Sequence, residues 1–244
     1  MEIIITGGAG FIGCNVTEYF AKRGHKVLVI DNLSRNGSAQ NIKYLKLKYP
    51  SVKFVKLDIS KANKLKKIYD YFKNSDLIIH LAGQVAVTKS IEDPYKDYIN
   101  NSLATINLLE LLRDINDKHD IKPVLIYSST NKVYGQTKNI KLVRKNGRYC
   151  YSGLKKGLNE ETPLDFYSPY GCSKGSADQY VICYSKIYDL NTIVMRQSCI
   201  YGTRQFGVED QGWIAWFLIA KLLGKRVTIY GDGNQVRDLL WIDD

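Results

Sequence analysis

The stretch Met1-Glu2-Ile3-Ile4-Ile5-Thr6-Gly7-Gly8-Ala9-Gly10-Phe11-Ile12-Gly13 decides the fold. Its opening run, Met1–Thr6, is rich in isoleucine and reads as a parallel strand buried on both faces. Phe11–Arg23 switches to helical spacing, with Phe11, Ile12, Val16, Phe20 and Ala21 on one face and Gly24 as a stop. Between strand and helix, Gly7, Gly10 and Gly13 have G-x-x-G-x-x-G spacing, one residue longer than the commonest dinucleotide loop. Without Cβ atoms such a turn closes tightly and brings backbone N–H groups close to a pyrophosphate. The N-terminus of the following helix then faces the negative charge.

Outward from this loop, strand and helix alternate. Further strands are read at Lys26–Ile30, Val52–Leu57, Leu77–Leu81, Pro123–Ser128 and Thr192–Arg196. Helices are read at Leu65–Phe72, Asp97–Asp117 and Ser168–Tyr188. The alternation predicts an α/β fold, a doubly wound parallel sheet, and six strands complete a Rossmann dinucleotide fold. Asp31, ending the second strand, is placed to accept hydrogen bonds from an adenosine ribose, which favours NAD; Arg35 keeps NADP open. Asp58, ending the third, either caps a helix or contacts adenine. The basic segment Gln136–Gly157 is long for a connection and reads as a functional or mobile loop. After Gly202 come a helix near Gln211–Leu223, a strand Arg226–Tyr230 and a last strand near Asp238–Trp241.

A net charge of +11 over 244 residues raises nucleic acid as a partner. The lysines of Lys43–Lys73 and Lys132–Lys156, however, do not alternate with stacking aromatics in a groove-binding motif. A solvated basic surface is the better reading, and no nucleic acid or membrane partner is expected. Cys14, Cys150, Cys172, Cys183 and Cys199 include no Cys-x-x-Cys pair, and His25, His80 and His119 are scattered. Neither a disulfide scaffold nor a metal site is expected. The N-terminus lacks the basic start and cleavage site of a signal peptide, and no apolar run reaches the ~20 residues of a membrane span. A cytoplasmic enzyme is the expectation.

Tyr170-Gly171-Cys172-Ser173-Lys174 puts a phenol and an ammonium on one face of a helix. The cation should lower the phenol from its usual pKa of about 10 and make Tyr170 a usable base. Ser128-Ser129-Thr130 follows the fifth strand, at the sheet edge where ligands bind, so a hydroxyl there can hold a substrate oxygen. Gln84 and Thr88 follow the fourth strand at the same crevice, suited to nicotinamide ribose or sugar hydroxyls or simply loop polarity. Asn101 is a candidate to orient substrate or a backbone carbonyl, and Arg204 and Arg237 are candidates for a substrate pyrophosphate.

Together the glycine loop, Asp31-Asn32-Leu33-Ser34-Arg35, His80-Leu81-Ala82-Gly83, Ser128-Ser129-Thr130…Val133-Tyr134-Gly135, Tyr170…Lys174 and Val236-Arg237-Asp238 resemble the extended short-chain dehydrogenase/reductase family. These are the NAD-dependent nucleotide-sugar epimerases and dehydratases, and the resemblance runs from Met1 to Asp244. It implies Thr130, Tyr170 and Lys174 as catalytic residues, with Lys174 also binding nicotinamide ribose. For the cofactor it implies Gly7, Gly10, Phe11, Ile12, Gly13, Asp31, Asn32, Ser34, Arg35, Asp58, Ile59, Leu81, Ala82 and Gln84. For the substrate it implies Gln84, Thr88, Asn101, Thr130, Lys132, Arg204 and Arg237. Dehydratases carry an Asp-Glu pair where this chain has Asn131 and Lys132, so epimerisation is favoured. The second half is most similar to the branch acting on CDP-sugars, with a UDP-hexose 4-epimerase or an inactive NAD-binding fragment as alternatives. The resemblance also implies a cofactor domain over 1–196, an incomplete substrate-binding portion over 197–244, and a homodimer through helices 97–117 and 168–188.

Overall fold

In this computed structural model, which describes residues 1–154 and 156–244, the isoleucine run becomes strand β1 (Glu2–Thr6), flanked by strands on both sides. Helix α1 (Phe11–Lys22) leads to β2 (Lys26–Asp31) and α2 (Ser38–Lys48) to β3 (Lys53–Lys56). Short helices α3 (Ala62–Leu65) and α4 (Tyr69–Lys73) precede β4 (Leu77–His80). Helices α5 (Val87–Glu92) and α6 (Pro94–Tyr98), a π-helical segment Ile99–Leu103 and α7 (Ala104–His119) lead to β5 (Val124–Thr130). A hairpin, β6 (Leu142–Lys145) and β7 (Arg148–Tyr151), and the long helix α8 (Pro169–Tyr188) precede β8 (Thr192–Gln197). The chain then forms β9 (Cys199–Tyr201), α9 (Trp213–Leu222) and β10 (Leu239–Trp241).

The main sheet has the order β3-β2-β1-β4-β5-β8, parallel throughout. The order reverses between β1 and β4, which opens a crevice outside the carboxyl ends of the strands. Alternation along the strands divides the apolar residues between two cores. Ile4, Leu28, Ile78, Leu125 and Tyr127 pack with Leu108 and Leu112 of α7 and Val181 of α8. Ile3, Ile5, Val27, Val29 and Ile79 pack with Cys14 of α1 and Ile42 and Leu45 of α2. No helix among the described residues is long and apolar enough to cross a membrane.

Several elements differ from the sequence expectation, the unread α5 and β9 among them. Helix α2 had no reading because only Ile42 and Leu45 of its hydrophobic residues are buried, amid exposed lysines and Leu47. Gln136–Gly157 contains the antiparallel β6–β7 hairpin; Lys155 within it lies outside the described residues. The strand expected at Arg226–Tyr230 does not form. A strand persists only where a neighbour takes its backbone groups. No strand among the described residues pairs with residues 226–230, and Ile229 and Tyr230 are exposed.

One buried ion pair ties α8 to the site edge of the sheet. Asp178 is fully buried and receives two hydrogen bonds of 2.9 Å from Arg196 on β8 and one of 2.7 Å from the Ser129 hydroxyl on β5. Arg196 donates further to the Tyr134 hydroxyl at 3.0 Å. Removing one partner of such a pair strands the other charge, a loss of about 3–5 kcal/mol. Asp178→Ala should therefore unfold at a clearly lower urea midpoint than wild type; an unchanged midpoint would contradict this role.

Candidate active site

The glycine loop fixes one end of the crevice. Gly7 has φ +71° and donates its N–H to the Ile30 carbonyl at 2.7 Å; a Cβ there would sit 2.6 Å from the Ala82 nitrogen. A Cβ on Gly13 would meet the Gly7 carbonyl oxygen at 2.2 Å. Only bare backbone fits at either position. Gly10 is the N-cap of α1 and supplies no side-chain cap, which leaves early N–H groups of the helix to a ligand. The loop opens on a cleft of about 720 Å³. Gly7, Gly10, Phe11, Ile12, Gly13, Asp31, Asn32, Ser34, Arg35, Asp58, Ile59, Leu81, Ala82 and Gln84 all line it. Asp31 also shapes the loop: its carboxylate accepts the Ala9 N–H at 3.1 Å and the Leu33 N–H at 2.7 Å. Burial raises its pKa and those two donors moderate the rise. Asp58 accepts both the N–H and the hydroxyl of Ser60, which closes a local turn rather than capping α3, whose N-cap is Lys61, and it also faces the cleft.

At the end of β5 the side chains alternate. The Ser128 hydroxyl reaches Gln197 at 2.6 Å, Ser129 turns to Asp178, and Thr130 faces Tyr170. Ser168 caps α8 by accepting the Gly171 N–H at 3.1 Å, and Pro169 follows in the first turn, which aims Tyr170 and Lys174 back at this strand end. Thr130, Tyr170 and Lys174 are all buried. The Lys174 Nζ donates to the Ser128 carbonyl and stands 4.3 Å from the Tyr127 ring centroid. Burial pulls Lys174 down to about 7 against the charges of Asp178 and Asp97. Burial pushes the Tyr170 phenol up to about 12, opposed by the Thr130 hydroxyl and reinforced by Asp97. The expected lowering of the phenol by its lysine is thus reversed: the ammonium is committed to a backbone carbonyl, and desolvation governs both groups.

Asp97 is a site residue that the sequence reading missed. It is 1% exposed and accepts hydrogen bonds from the Ser173 hydroxyl, from Gln84 Nε2 at 2.8 Å and from Asn101 Nδ2 at 3.1 Å. The helix begins at Pro94, capped by Asp93, rather than at Asp97, so Asp97 turns inward with Asn101 one turn later. That Asp-Pro cap was the available signal. The π-helical segment turns consecutive residues inward: Asn101 Nδ2 donates to the Ser173 hydroxyl at 2.9 Å and the Ser102 hydroxyl to the Ser173 carbonyl at 2.9 Å. His80, driven down to about 3 by burial, bonds Thr6 at 2.7 Å and Thr105 at 3.0 Å. It is a neutral structural bridge.

The expected substrate residues differ in their surroundings. Gln84 borders the cleft, but its amide is held by Ala86 and Asp97. Asn101 is consumed by the Asp97–Ser173 network. Thr88 is exposed on α5 and Arg237 is exposed, donating to the Val236 carbonyl at 3.0 Å; neither lines the cleft. Lys132 is exposed just past Thr130 and donates its backbone N–H to the Thr130 hydroxyl at 3.3 Å. Arg204 lines the cleft with the glycine loop, its guanidinium held by Glu18 and Asn15 rather than free for a sugar pyrophosphate.

A doubly wound sheet, a glycine cradle and a Thr/Tyr/Lys cluster at one strand end define a nucleotide-cofactor enzyme. The chain belongs to the NAD dependent epimerase/dehydratase family, whose model matches residues 3–244. It is 43% identical over 249 residues to CDP-paratose 2-epimerase of Salmonella typhi, covering 100% of this chain and 72% of that one. It is 33% identical to a putative UDP-glucose 4-epimerase of Methanocaldococcus jannaschii, covering 99% and 70%. The UDP-glucose 4-epimerase of Thermus thermophilus in complex with NAD superposes with a TM-score of 0.80 at 30% identity, over 99% of this chain and 71% of that one. The cofactor of the family is NAD, and the bare-backbone cradle with Asp31 beside it fits that group.

Lys174 also gives a stability test. Its pKa falls from 10.5 to about 7 on folding, so the unfolded chain binds more protons between those values. The cost of burying its charge is full below about pH 7 and fades as pH rises toward 10.5. The melting temperature of Lys174→Met, relative to wild type, should therefore be highest near pH 6 and decline toward pH 10. A difference independent of pH would contradict the buried-cation description.

Proposed function

We propose that the protein is an NAD-dependent nucleotide-sugar epimerase that oxidises its substrate transiently to a keto sugar, and that the substrate is CDP-paratose. The reaction type rests on one observation, the meeting of Thr130, Tyr170 and Lys174 at a strand end beside a dinucleotide-shaped cleft. The substrate rests on the 43% identity to CDP-paratose 2-epimerase. The similarity to UDP-glucose 4-epimerases favours a UDP-hexose as the second reading. Dehydration is disfavoured because Asn131 and Lys132 follow Thr130, and neither supplies the carboxyl acid and base that loss of water requires.

NAD supplies, when bound, the hydride acceptor and donor and, in its oxidised form, a positive ring charge. Tyr170 is the proton carrier: as phenolate it takes the proton of a sugar hydroxyl, and as phenol it returns one to the keto oxygen after the sugar has turned over. A phenol at about 12 is well suited to the second task; for the first it needs positive charge nearby. Lys174 contributes that charge in proportion to how far Asp178 and Asp97 keep it protonated. Thr130 orients the phenol, and burial excludes water from the exchange.

In the same reading, residues 1–196 form the cofactor domain and 197–244 belong to the substrate-binding portion. Two copies pair through helices 97–117 and 168–188, where Tyr98, Tyr180 and Ile187 are exposed. The five free thiols suit the cytoplasm.

Tyr170→Phe should lower epimerisation by about 10²–10⁴-fold while NAD stays bound. Among CDP-paratose, UDP-glucose and UDP-galactose, followed by NMR of the products, only the first should be converted by wild type. Turnover retained by Tyr170→Phe would remove Tyr170 as the proton carrier, and selective conversion of a UDP-hexose would replace the substrate.

A further inference from the structure

Segment Thr203–Phe206 follows β9 yet lies against the first two helices of the chain. Asn15 on α1 donates to the Thr203 carbonyl at 3.0 Å across a sequence separation of 188 residues, and the Thr203 hydroxyl donates back to Asn15 Oδ1 at 3.2 Å. Arg204 adopts φ +64°, a left-handed conformation that a non-glycine residue holds only when its surroundings impose it. Here the side chain imposes it. The Nη2 donates to Asn15 Oδ1 at 2.6 Å and to the Glu18 carboxylate, and the guanidinium stands 4.7 Å from the Tyr44 ring centroid. Glu18 is held in turn by the hydroxyls of Tyr44 and Tyr49 at 2.9 and 3.0 Å and by Lys48 at 2.7 Å. Two residues on, the Phe206 ring presses on Gly37, the N-cap of α2, where a Cβ would come within 2.1 Å of the ring.

Arg204 and Phe206 line the same cleft as Gly7, Gly13, Asp31 and Arg35. Part of the cleft wall is therefore supplied by a late segment of the chain, latched onto α1 and the start of α2 by one largely buried ion pair and one aromatic ring. We propose that Thr203–Phe206 is a retaining strap over the adenosine end of the NAD cleft, with Arg204 and Glu18 as its latch and Phe206 as an apolar wall for the nucleoside. Arg204 then serves the cofactor and not the substrate pyrophosphate. Release of NAD requires the strap to lift, which parts the Arg204–Glu18 pair and lifts Phe206 off Gly37. Slow release suits a cycle in which the hydride returns to the same sugar, because a reduced cofactor that escaped midway would leave the ketone stranded. The proposal rests on the NAD dependence of the family and holds for either sugar nucleotide.

The test loads purified wild type, Arg204→Ala, Glu18→Gln and Phe206→Ala with NAD and follows its loss into NAD-free buffer. KM for the nucleotide sugar is measured separately at saturating NAD. Truncating one member of a buried, hydrogen-bonded charge pair acts mainly on dissociation. Arg204→Ala and Phe206→Ala should lose NAD about tenfold faster or more, with a smaller change in KM for the sugar. Glu18→Gln keeps its shape and loses only its charge. It should also release NAD faster, and it carries the test if the truncations do not fold. NAD loss at the wild-type rate in the folded variants, or a raised sugar KM with NAD retention unaltered, would overturn the strap. Wild type that holds no NAD would overturn the cofactor reading beneath it.

Discussion

Strands that all run in one direction deliver all their C-terminal ends to one edge. Both faces of such a sheet are covered by helices, so polar chemistry has nowhere else to gather. In this chain that constraint brings together Asp31 from β2, the loop after β4 with Gln84, and Thr130 from β5, while α8 returns Tyr170 and Lys174 to the same edge. The two halves of the crevice differ in character. The β1–β2 half is shaped by missing Cβ atoms and open backbone donors. The β4–β5 half is shaped by buried polar groups that hold one another.

Lys174 is the costly element of that second half, and its surroundings account for how it is kept. An ammonium buried this deeply is pulled toward neutrality, and two carboxylates oppose the pull. Asp178, one turn along α8, is fixed by Arg196 and Ser129; Asp97, across the helix interface, is fixed by Ser173, Gln84 and Asn101. Each carboxylate also joins α8 to another element, so the charges that tune the site hold its geometry. Their effects on Tyr170 and Lys174 differ: Asp97 helps to keep the ammonium charged but also raises the phenol.

What was legible in the sequence follows from how local each constraint is. The cradle at Gly7 and Gly13 tolerates nothing larger, so glycine spacing carried the first strand–helix turn and the fold built on it. The parallel sheet followed from the alternation of strands and helices. Tyr170 and Lys174 sit one turn apart and needed only a helix to be brought together. Asp97 was not legible because its orientation depends on a helix start three residues earlier and on the π-helical segment that follows. The setting of Arg204 was not legible for a related reason: its partners on α1 lie far away in sequence, and no spacing rule reports them. Arg226–Tyr230 had the composition of a strand, but a strand also needs a partner to pair with, which composition does not report.

In the proposed mechanism epimerisation removes a hydride and gives back the same one, with Tyr170 carrying only the hydroxyl proton. CDP-paratose deuterated at the epimerised carbon, incubated with the enzyme in ordinary water, measures this most directly by mass spectrometry and NMR of the product. The expected product is an epimer that keeps its deuterium at that carbon. An epimer whose label has been replaced by solvent hydrogen would contradict it, because the carbon would then have been deprotonated and reprotonated instead.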